Sequence, residues 1–447
     1  MTKQFVRKPM AFVCLSLSFL LLISSEKNSS GNGIYGNGIG AEAMSMGGAE
    51  VAWAADPLSA MTANPAGLGF LTRPEIDLGA VGAVLEGNFI SKTGSGGGLN
   101  SSLNALPEGA FAYPLKNVPI TFGLSVAPQA GLLANWNYVD PPPTGGTTSY
   151  GYQEDKSEII LLRSALGVAW QINSKLSIGA TAGLLYNQND LVAPYIFQNI
   201  QSTVSAPPNG AKTLLNLHTS GFGGDATVGA LFRATTNLQF GVFYQSESII
   251  NTSGDASGNP YAQFGESLPF HYDAEVKNKF PQNASVGVSW GFLPKFRVSA
   301  QVDWIDWADA FDTLHISMSN GSNPGVNRAL GSSFRDNVPL NWSSEFVYRA
   351  GLEYDVTENL ALRIGYSYGQ SPVPDSTLTP MTAAITEHVI TAGVGYHWSR
   401  YKVEIAYQYY IPATQNVGQS GLLSGEYSNS STTVSAHVFA LTTGFTF

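Results

Sequence analysis

The residue types that most often carry out chemistry stand in no catalytic or metal-binding pattern in this chain. The carboxylates Asp303 and Asp306 lie close together, as in a glycosidase pair, but alternation places Asp303 inward and the neighbouring tryptophans suit an aromatic girdle. The Gly36–Gly40 loop resembles a phosphate-binding loop without its lysine or preceding strand, and no Gly-x-Ser-x-Gly motif occurs. The histidines lack metal-ligand spacing and are His218, His271, His315, His388, His397 and His437. The sequence therefore predicts no enzyme, no cofactor and no metal site.

The composition points instead to a membrane barrel. Charged residues make up only 12% of the 447 residues, about half the share usual in soluble domains, while the chain has 48 glycines and 11% aromatic residues. Mean hydropathy is +0.01, and no apolar run reaches the roughly 18 residues that a membrane-spanning helix needs. A transmembrane β-barrel explains this combination because its apolar residues occupy alternate positions.

The N-terminus has the features of a secretory signal peptide. Lys3, Arg7 and Lys8 precede the apolar run from Met10 to Ile23, and small polar residues follow. We predict a signal peptide over residues 1–25, with cleavage between 25 and 30. The only cysteine, Cys14, lies inside this run, so the mature chain is expected to have neither thiol nor disulfide. Its 19 basic and 32 acidic residues form no basic patch, which argues against nucleic acid as a partner.

Alternating apolar and small or polar residues predict strands. From Leu360 to Tyr368, one face is Leu, Leu, Ile, Tyr, Tyr and the other is Ala, Arg, Gly, Ser. Similar alternation occurs from Phe296 to Trp304 and from Val403 to Tyr410. Fourteen strands are predicted to start near Pro74, Gly109, Val118, Ser157, Lys175, Thr213, Asn237, His271, Lys295, Trp342, Asn359, Ala384, Tyr401 and Thr433.

The connections between these strands alternate between tight and long. Tight turns are predicted at Lys116-Asn117, Asn173-Ser174, Thr235-Thr236, Leu293-Pro294, Thr357-Glu358 and Ser399-Arg400. Long loops are predicted over 91–102, 140–146, 193–211, 251–269, 319–338, 371–382 and 412–431. Outer-membrane barrels have short periplasmic turns and long external loops, so the pattern predicts an all-β, 14-stranded antiparallel barrel over residues 74–447. The C-terminal strand ends on Phe447, which resembles the signal that the outer-membrane assembly machinery recognises.

The segment over residues 31–71 does not have a strand pattern. It is rich in small and apolar residues and bends at Gly and Pro, with two short helical pieces predicted at Ala41–Met46 and Pro57–Ala63. Such a composition suits a small plug inside the barrel.

Several motifs resemble the FadL/TodX family of outer-membrane transporters for long-chain fatty acids and hydrophobic compounds. Met46-Gly47-Gly48-Ala49, Ala54-Ala55-Asp56-Pro57 and Asn64-Pro65-Ala66-Gly67-Leu68 look like the N-terminal hatch of that family. Matches continue downstream in order, at 304–307, 348–351, 363–375 and 392–396. The resemblance covers nearly all of the mature chain and implies a 14-stranded barrel plugged by a hatch.

The resemblance also implies which residues act. Asn64, Pro65 and Ala66 would form the gating part of the hatch, since Pro fixes φ and Asn hydrogen-bonds nearby backbone; an ordinary Asn-Pro turn is the alternative. Pro128 and Gly131 lie where the family has a kinked third strand that opens laterally, and both weaken a ladder. A plain strand end is the alternative there.

Two departures concern the ligand. Where the fatty-acid carrier of the family has basic residues, this chain has Tyr186-Asn187-Gln188-Asn189-Asp190 and Ser344-Glu345-Phe346. A buried carboxylate needs a charge partner or a proton. Candidates on predicted lumen faces are Arg163, Arg349 and Arg363, with Arg233 and Arg297 also inward; the alternative is that they pair with lumen acids such as Asp303, Glu353 and Glu404.

The resulting functional hypothesis is a passive transporter in the outer membrane of a Gram-negative bacterium. It would capture hydrophobic molecules, first of all long-chain fatty acids, at its external loops, bind them in the lumen and release them laterally toward outer-membrane lipids through hatch gating. Uptake of aromatic or alkane hydrocarbons is the alternative, and a barrel enzyme such as a lipase is the alternative from another class. An open porin is disfavoured by the apolar plug.

Overall fold

A computed structural model describes residues 32–204 and 212–447. The predicted signal peptide, with Cys14, lies outside the described residues, as does part of the predicted loop 193–211. No helix in the described part of the chain is long and apolar enough to cross a membrane.

Fourteen antiparallel strands form a closed barrel, which confirms the predicted fold. Four of them are interrupted and have two segments. The bounds are β1 Glu75–Ile90, β2 Asn104–Pro114, β3 Ile120–Val139, β4 Tyr152–Gln171, β5 Leu176–Ile196, β6 Lys212–Arg233, β7 Leu238–Gln245 and Ser248–Asn259, β8 Phe270–Phe280 and Asn283–Leu293, β9 Phe296–Ile305 and Thr313–Ser319, β10 Phe334–Pro339 and Glu345–Asp355, β11 Leu360–Gly369, β12 His388–Trp398, β13 Tyr401–Val417 and β14 Ser430–Thr446.

Each strand pairs with its neighbours in sequence, and β1 pairs with β14 from Glu75–Thr446 to Ile90–Ser431, which closes the barrel. Two further short strands, Gly96–Leu99 and Ile200–Ser202, extend the sheet at the loop end. All six tight turns lie where the sequence predicts them.

The alternation separates a lipid-facing band from a small-residue or polar lumen. In β11, Leu362 and Ile364 are 46% and 58% exposed, whereas Arg363 and Ser367 are buried. In β6, the outward residues are apolar from Phe222 down to Phe232 but polar above, at Ser220, His218 and Asn216. An apolar band bounded by polar residues is what a bilayer requires of a barrel's outer face.

The predicted loop from Asn251 to Pro269 is wrong at its start, because β7 continues to Asn259. Its outward residues there are small and polar, among them Asn251, Ser253 and Asp255, so the sequence looks like a loop. The inward residues Ile250 and Ala256 are fully buried. This part of β7 pairs with β8 as far as Gly258 and with β6 from Ser253 to Asn259, and it projects above the apolar band.

The residues before β1 form short helices. These are α1 Ala41–Ser45 and α2 Pro57–Thr62, followed by a 3-10 helix at Pro65–Phe70. Helix α2 begins at a capping box in which Asp56 accepts a hydrogen bond of 2.7 Å from the backbone N–H of Ser59. Helix α4 Trp307–Ala310 interrupts β9. The loops contain the helices α3 Tyr261–Phe264 and α5 Pro324–Leu330, and 3-10 turns at Pro380–Thr382 and Leu423–Gly425.

Candidate functional site

An apolar cavity occupies the upper part of the lumen, beneath the loops. It has about 1450 Å³ of space between atoms, including the part that opens to solvent. Aliphatic and aromatic side chains from opposite walls line it, among them Leu132, Ile159, Phe280, Phe311, Leu314, Trp342 and Met381. Phe311 and Trp342 stack with ring centroids 4.6 Å apart. Apolar lining of this extent is typical of sites that bind hydrophobic small molecules.

No buried cation lines this cavity among residues 32–204 and 212–447. The lysines at its boundary are Lys277, which is exposed, and Lys279, which pairs with Glu247 at 2.9 Å. Its boundary also includes Glu158, Asp190 and Glu426. The electrostatic environment therefore favours neutral ligands over anions.

A buried ion cluster holds the loops above the cavity together. Lys212, fully buried, donates hydrogen bonds to Asp140 at 2.5 Å, to Glu426 at 2.6 Å and to the carbonyl of Pro141 at 2.8 Å. Burial raises the pKa of Asp140, and it raises the pKa of Glu426 to about 7, although Lys212 acts in the opposite direction on both. No pattern along the chain marks Lys212, since a lysine beside a loop is ordinarily exposed.

The N-terminal segment, residues 32–71, lies across the lumen below the apolar cavity. Its first turn contributes Ile34 to the cavity wall. Its helices contact the wall at separate places, α1 touching β12 and β13 and α2 touching β2 and β3. Glycines on the wall allow this approach: a Cβ on Gly365 would lie 2.3 Å from the backbone nitrogen of Gly47. Part of the glycine excess is thus explained by contact between wall and segment.

Ion pairs hold the segment to the lower wall. The segment has three acidic residues and no basic one, and the barrel supplies the cations. Glu42 accepts a hydrogen bond of 3.0 Å from Arg297 and lies 3.7 Å from Arg363. Asp56 lies 3.2 Å from Lys402 of β13. Charged pairs at these distances tie the acidic segment to specific strands.

Asn64 is completely buried between the segment and the wall. Its Nδ2 donates to the carbonyls of Val51 at 2.8 Å and of Ala230 and Val242 at 3.2 Å. Its Oδ1 accepts from the N–H of Ala66 at 3.1 Å, with Pro65 as the first residue of the 3-10 helix. One side chain therefore links the segment to itself and to both β6 and β7. Asn64, Pro65 and Ala66 are thus contact points, and their gating role stays a prediction.

The three candidate arginines are all engaged in ion pairs, and none lines the apolar cavity. Arg163 binds Asp225 at 2.9 Å. Arg349 binds Asp303 and Asn37. Arg363 binds Glu404 and, at 2.6 Å, Glu353. Pairing of a ligand carboxylate by Arg163, Arg349 or Arg363 stays a prediction, and it would require one of these contacts to break.

Strand β3 has a bulge at the predicted kink. Pro128 pairs with Leu162 and Ala130 with Leu161, so that Gln129 is an extra residue in β3. On its other side, β3 pairs with β2 only as far as Val126, and its next strand partner is Leu99, opposite Trp136. The intervening edge of β3, which includes Gly131, has no ladder to β2.

The N-terminal segment contacts this free edge. The N–H of Gly131 donates to the carbonyl of Ile34 at 2.9 Å, and Tyr35 forms a bridge with Ala130. The sequence pointed to Pro128 and Gly131 but not to Ile34, Tyr35 or Gln129. Only a pairing register reveals an extra residue in a strand, so no sequence signal could have identified Gln129.

Comparisons with known proteins agree with this architecture. Residues 20–447 match the family described as Outer membrane protein transport protein (OMPP1/FadL/TodX). The fold is similar to the Pseudomonas putida toluene transporter TodX, with a TM-score of 0.72, 19% identity, and coverage of 93% of this chain and 99% of that one. It is also similar to a Pseudomonas aeruginosa FadL homologue, with a TM-score of 0.72, 15% identity, and coverage of 92% and 99%. It is similar as well to the Ralstonia pickettii toluene transporter TbuX, with a TM-score of 0.71, 18% identity, and coverage of 92% of this chain and 99% of that one. No curated protein matches the sequence.

Proposed function

The chain belongs to the FadL/TodX family of outer-membrane transport proteins, and we propose that it is a passive uptake channel for neutral hydrophobic compounds. Membership gives its location, the outer membrane, and its general role as a channel for hydrophobic compounds. It also points away from catalysis. The observation that supports the finer proposal is the large apolar cavity, on whose wall the described residues place no buried cation.

The physical reason for a neutral cargo is the cost of burying charge. An apolar solute gains free energy by leaving water for this cavity. A carboxylate would lose its hydration and meet the acid-rich boundary formed by Glu158, Asp190 and Glu426. Aromatic and alkane hydrocarbons avoid this cost, and Phe311 and Trp342 offer aromatic faces to a ring.

The release path in this proposal runs past the N-terminal segment. Movement at Asn64, Pro65 and Ala66 would withdraw Ile34 from the cavity and Tyr35 from the free edge of β3. The ligand would then leave toward outer-membrane lipids beside Pro128 and Gly131. The support for this path is the absence of a ladder between β2 and β3 at that height in the described structure. Insertion by the assembly machinery through the strand that ends at Phe447 is part of the same proposal.

Long-chain fatty acids are the second candidate cargo. The observation that favours them is the extent of the apolar lining, to which the N-terminal segment, strands β3 to β6, strands β8 to β10 and several loops contribute. Such a ligand would have to bind protonated or take a cation from an existing ion pair.

Two measurements on the purified chain test the proposal. We expect p-xylene to bind more tightly than palmitate at pH 8, as measured by titration calorimetry in detergent. If long-chain fatty acids are the cargo, palmitate should bind more tightly than p-xylene. We expect liposomes that contain the protein to be no more permeable to sugars than liposomes without it. Rapid sugar flux would refute a closed lumen, and failure of p-xylene to bind would refute the hydrocarbon cargo.

A further inference from the structure

A second, polar chamber lies in the lumen below the apolar cavity. It has about 770 Å³ of space between atoms. The N-terminal segment forms one side, and strands β3 and β7 to β10 form the other. Ile34 lines the apolar cavity and the next residue, Tyr35, lines the polar chamber, so these two residues separate the two spaces.

The chamber contains buried acceptor oxygens without a hydrogen-bond partner. Glu50 of the N-terminal segment is 2% exposed, and neither of its carboxylate oxygens has a partner among residues 32–204 and 212–447. In the same described residues, Oε1 of Gln129 is likewise buried and unpaired. Both side chains line the chamber. An unpaired buried acceptor costs about 1–3 kcal/mol, so a ligand that supplies a donor is favoured at this site.

Several other polar groups of the chamber are already paired. Asp303 accepts hydrogen bonds from Arg349 and from Gln301, and Oε1 of Gln301 accepts from the N–H of Val51 at 2.8 Å. Asn283 donates to Gln245 at 3.0 Å. Among the described residues that line the chamber, the oxygens of Glu50 and Gln129 are the buried acceptors that remain available to a ligand.

The bulge in β3 explains why Gln129 points into the chamber. The inward residues of β3 have odd numbers up to Ala127 and even numbers from Ala130 onward. Gln129 lies at this change of register, next to the free edge of β3. A bulge re-aims a side chain in this way, which gives the extra residue a role that a regular strand would not allow.

We propose that this polar chamber is a second binding site, for small neutral molecules that have a hydroxyl group, such as alcohols and phenols. This inference extends the proposed function, because the apolar body of such a molecule suits the upper cavity and its O–H suits the lower chamber. A hydroxyl both donates and accepts, so it pairs with Glu50 as a carboxylate or as a carboxylic acid. Burial raises the pKa of Glu50 well above its usual range, so both forms are relevant.

The test uses two probes of the same shape, p-cresol and p-xylene, with the purified full chain. Glu50→Leu and Gln129→Leu each remove an unpaired acceptor, and Gln263→Leu, at an exposed loop position, is the matched control. Each chamber variant is expected to weaken p-cresol binding about three- to ten-fold, the equivalent of one hydrogen bond, and to change p-xylene binding less than about two-fold. The control is expected to change neither.

Heat-dependent migration on gels shows that each variant barrel is folded. Unchanged p-cresol affinity in both folded variants would overturn the inference, and so would an equal loss for the two probes. If p-xylene fails to bind the wild-type protein, the proposed function fails. If p-xylene binds but p-cresol binding does not depend on Glu50 or Gln129, only the second site fails.

Discussion

Replacing Asn64 with alanine is the sharpest test of how the N-terminal segment is held in the lumen. The side chain donates to carbonyls of the segment, β6 and β7 and accepts from Ala66, all in a fully buried position. Its two N–H protons and one acceptor account for about three net hydrogen bonds, each worth about 0.5–1.5 kcal/mol. We therefore expect Asn64→Ala to destabilise the segment locally by about 2–4 kcal/mol.

Hydrogen exchange measures this local stability without unfolding the barrel. A loss of about 2–4 kcal/mol corresponds to amide exchange roughly 30- to 700-fold faster for peptides that cover residues 51–68. Peptides from β11 and β12 should exchange as in the wild type. Asn216→Ala, at an exposed position on the outer face of β6, is the matched control. Unchanged exchange over residues 51–68 would contradict this prediction, since it would mean that contacts elsewhere hold the segment.

Three further predictions concern the wall, the loops and the arginines. A Cβ on residue 229 would lie 2.1 Å from Oδ1 of Asn64, so Gly229→Ala should accelerate exchange over residues 51–68. Gly224→Ala is the control, because its Cβ would have no neighbour nearer than 3.4 Å, and it should leave this exchange unchanged. Burial raises the pKa of Glu426 to about 7 in the folded protein. Between about pH 4.5 and 7, Glu426 therefore keeps its proton in the folded loop but loses it in the unfolded loop. The stability of the loop should consequently fall as the pH rises through 7. Exchange of the loop over residues 418–429 at pH 5.5 and 8 checks this, and Glu426→Gln should reduce the pH dependence that intrinsic exchange does not explain. Arg163→Ala and Arg349→Ala should change palmitate affinity less than about two-fold by calorimetry, and a ten-fold loss would show that an arginine holds the carboxylate.

The alternating strands could be predicted because the rule behind them is local. A lipid-facing residue must be apolar and its neighbour points into the lumen, so Leu362 and Arg363 reveal their faces without knowledge of any partner strand. The tight turns are equally local. The same rule failed at Asn251, where β7 rises above the bilayer and its outward residues are small and polar.

The candidate site was predictable only in part. Motif resemblance pointed to Asn64 and Pro128, but the cavity is formed by residues that are far apart in sequence, such as Ile159, Phe311 and Trp342. Their convergence depends on barrel closure and on loop packing. Hydrophobic residues at such positions have no distinguishing spacing, so no pattern marks them as a binding wall.

The sequence was enough to predict the strands, their number and the lipid-facing side of each, because a two-residue period marks every strand and tight and long connections alternate between them. The folded structure was needed to show which polar and charged groups are free. Arg163, Arg349 and Arg363 look alike in the sequence, yet each is paired in the folded lumen, while Glu50 and Gln129 have no partner in the described structure. The reason is that pairing in the lumen is a property of distance across the barrel. Two charges interact according to their separation in space and their burial, and the order of residues along the chain does not reveal either of these quantities.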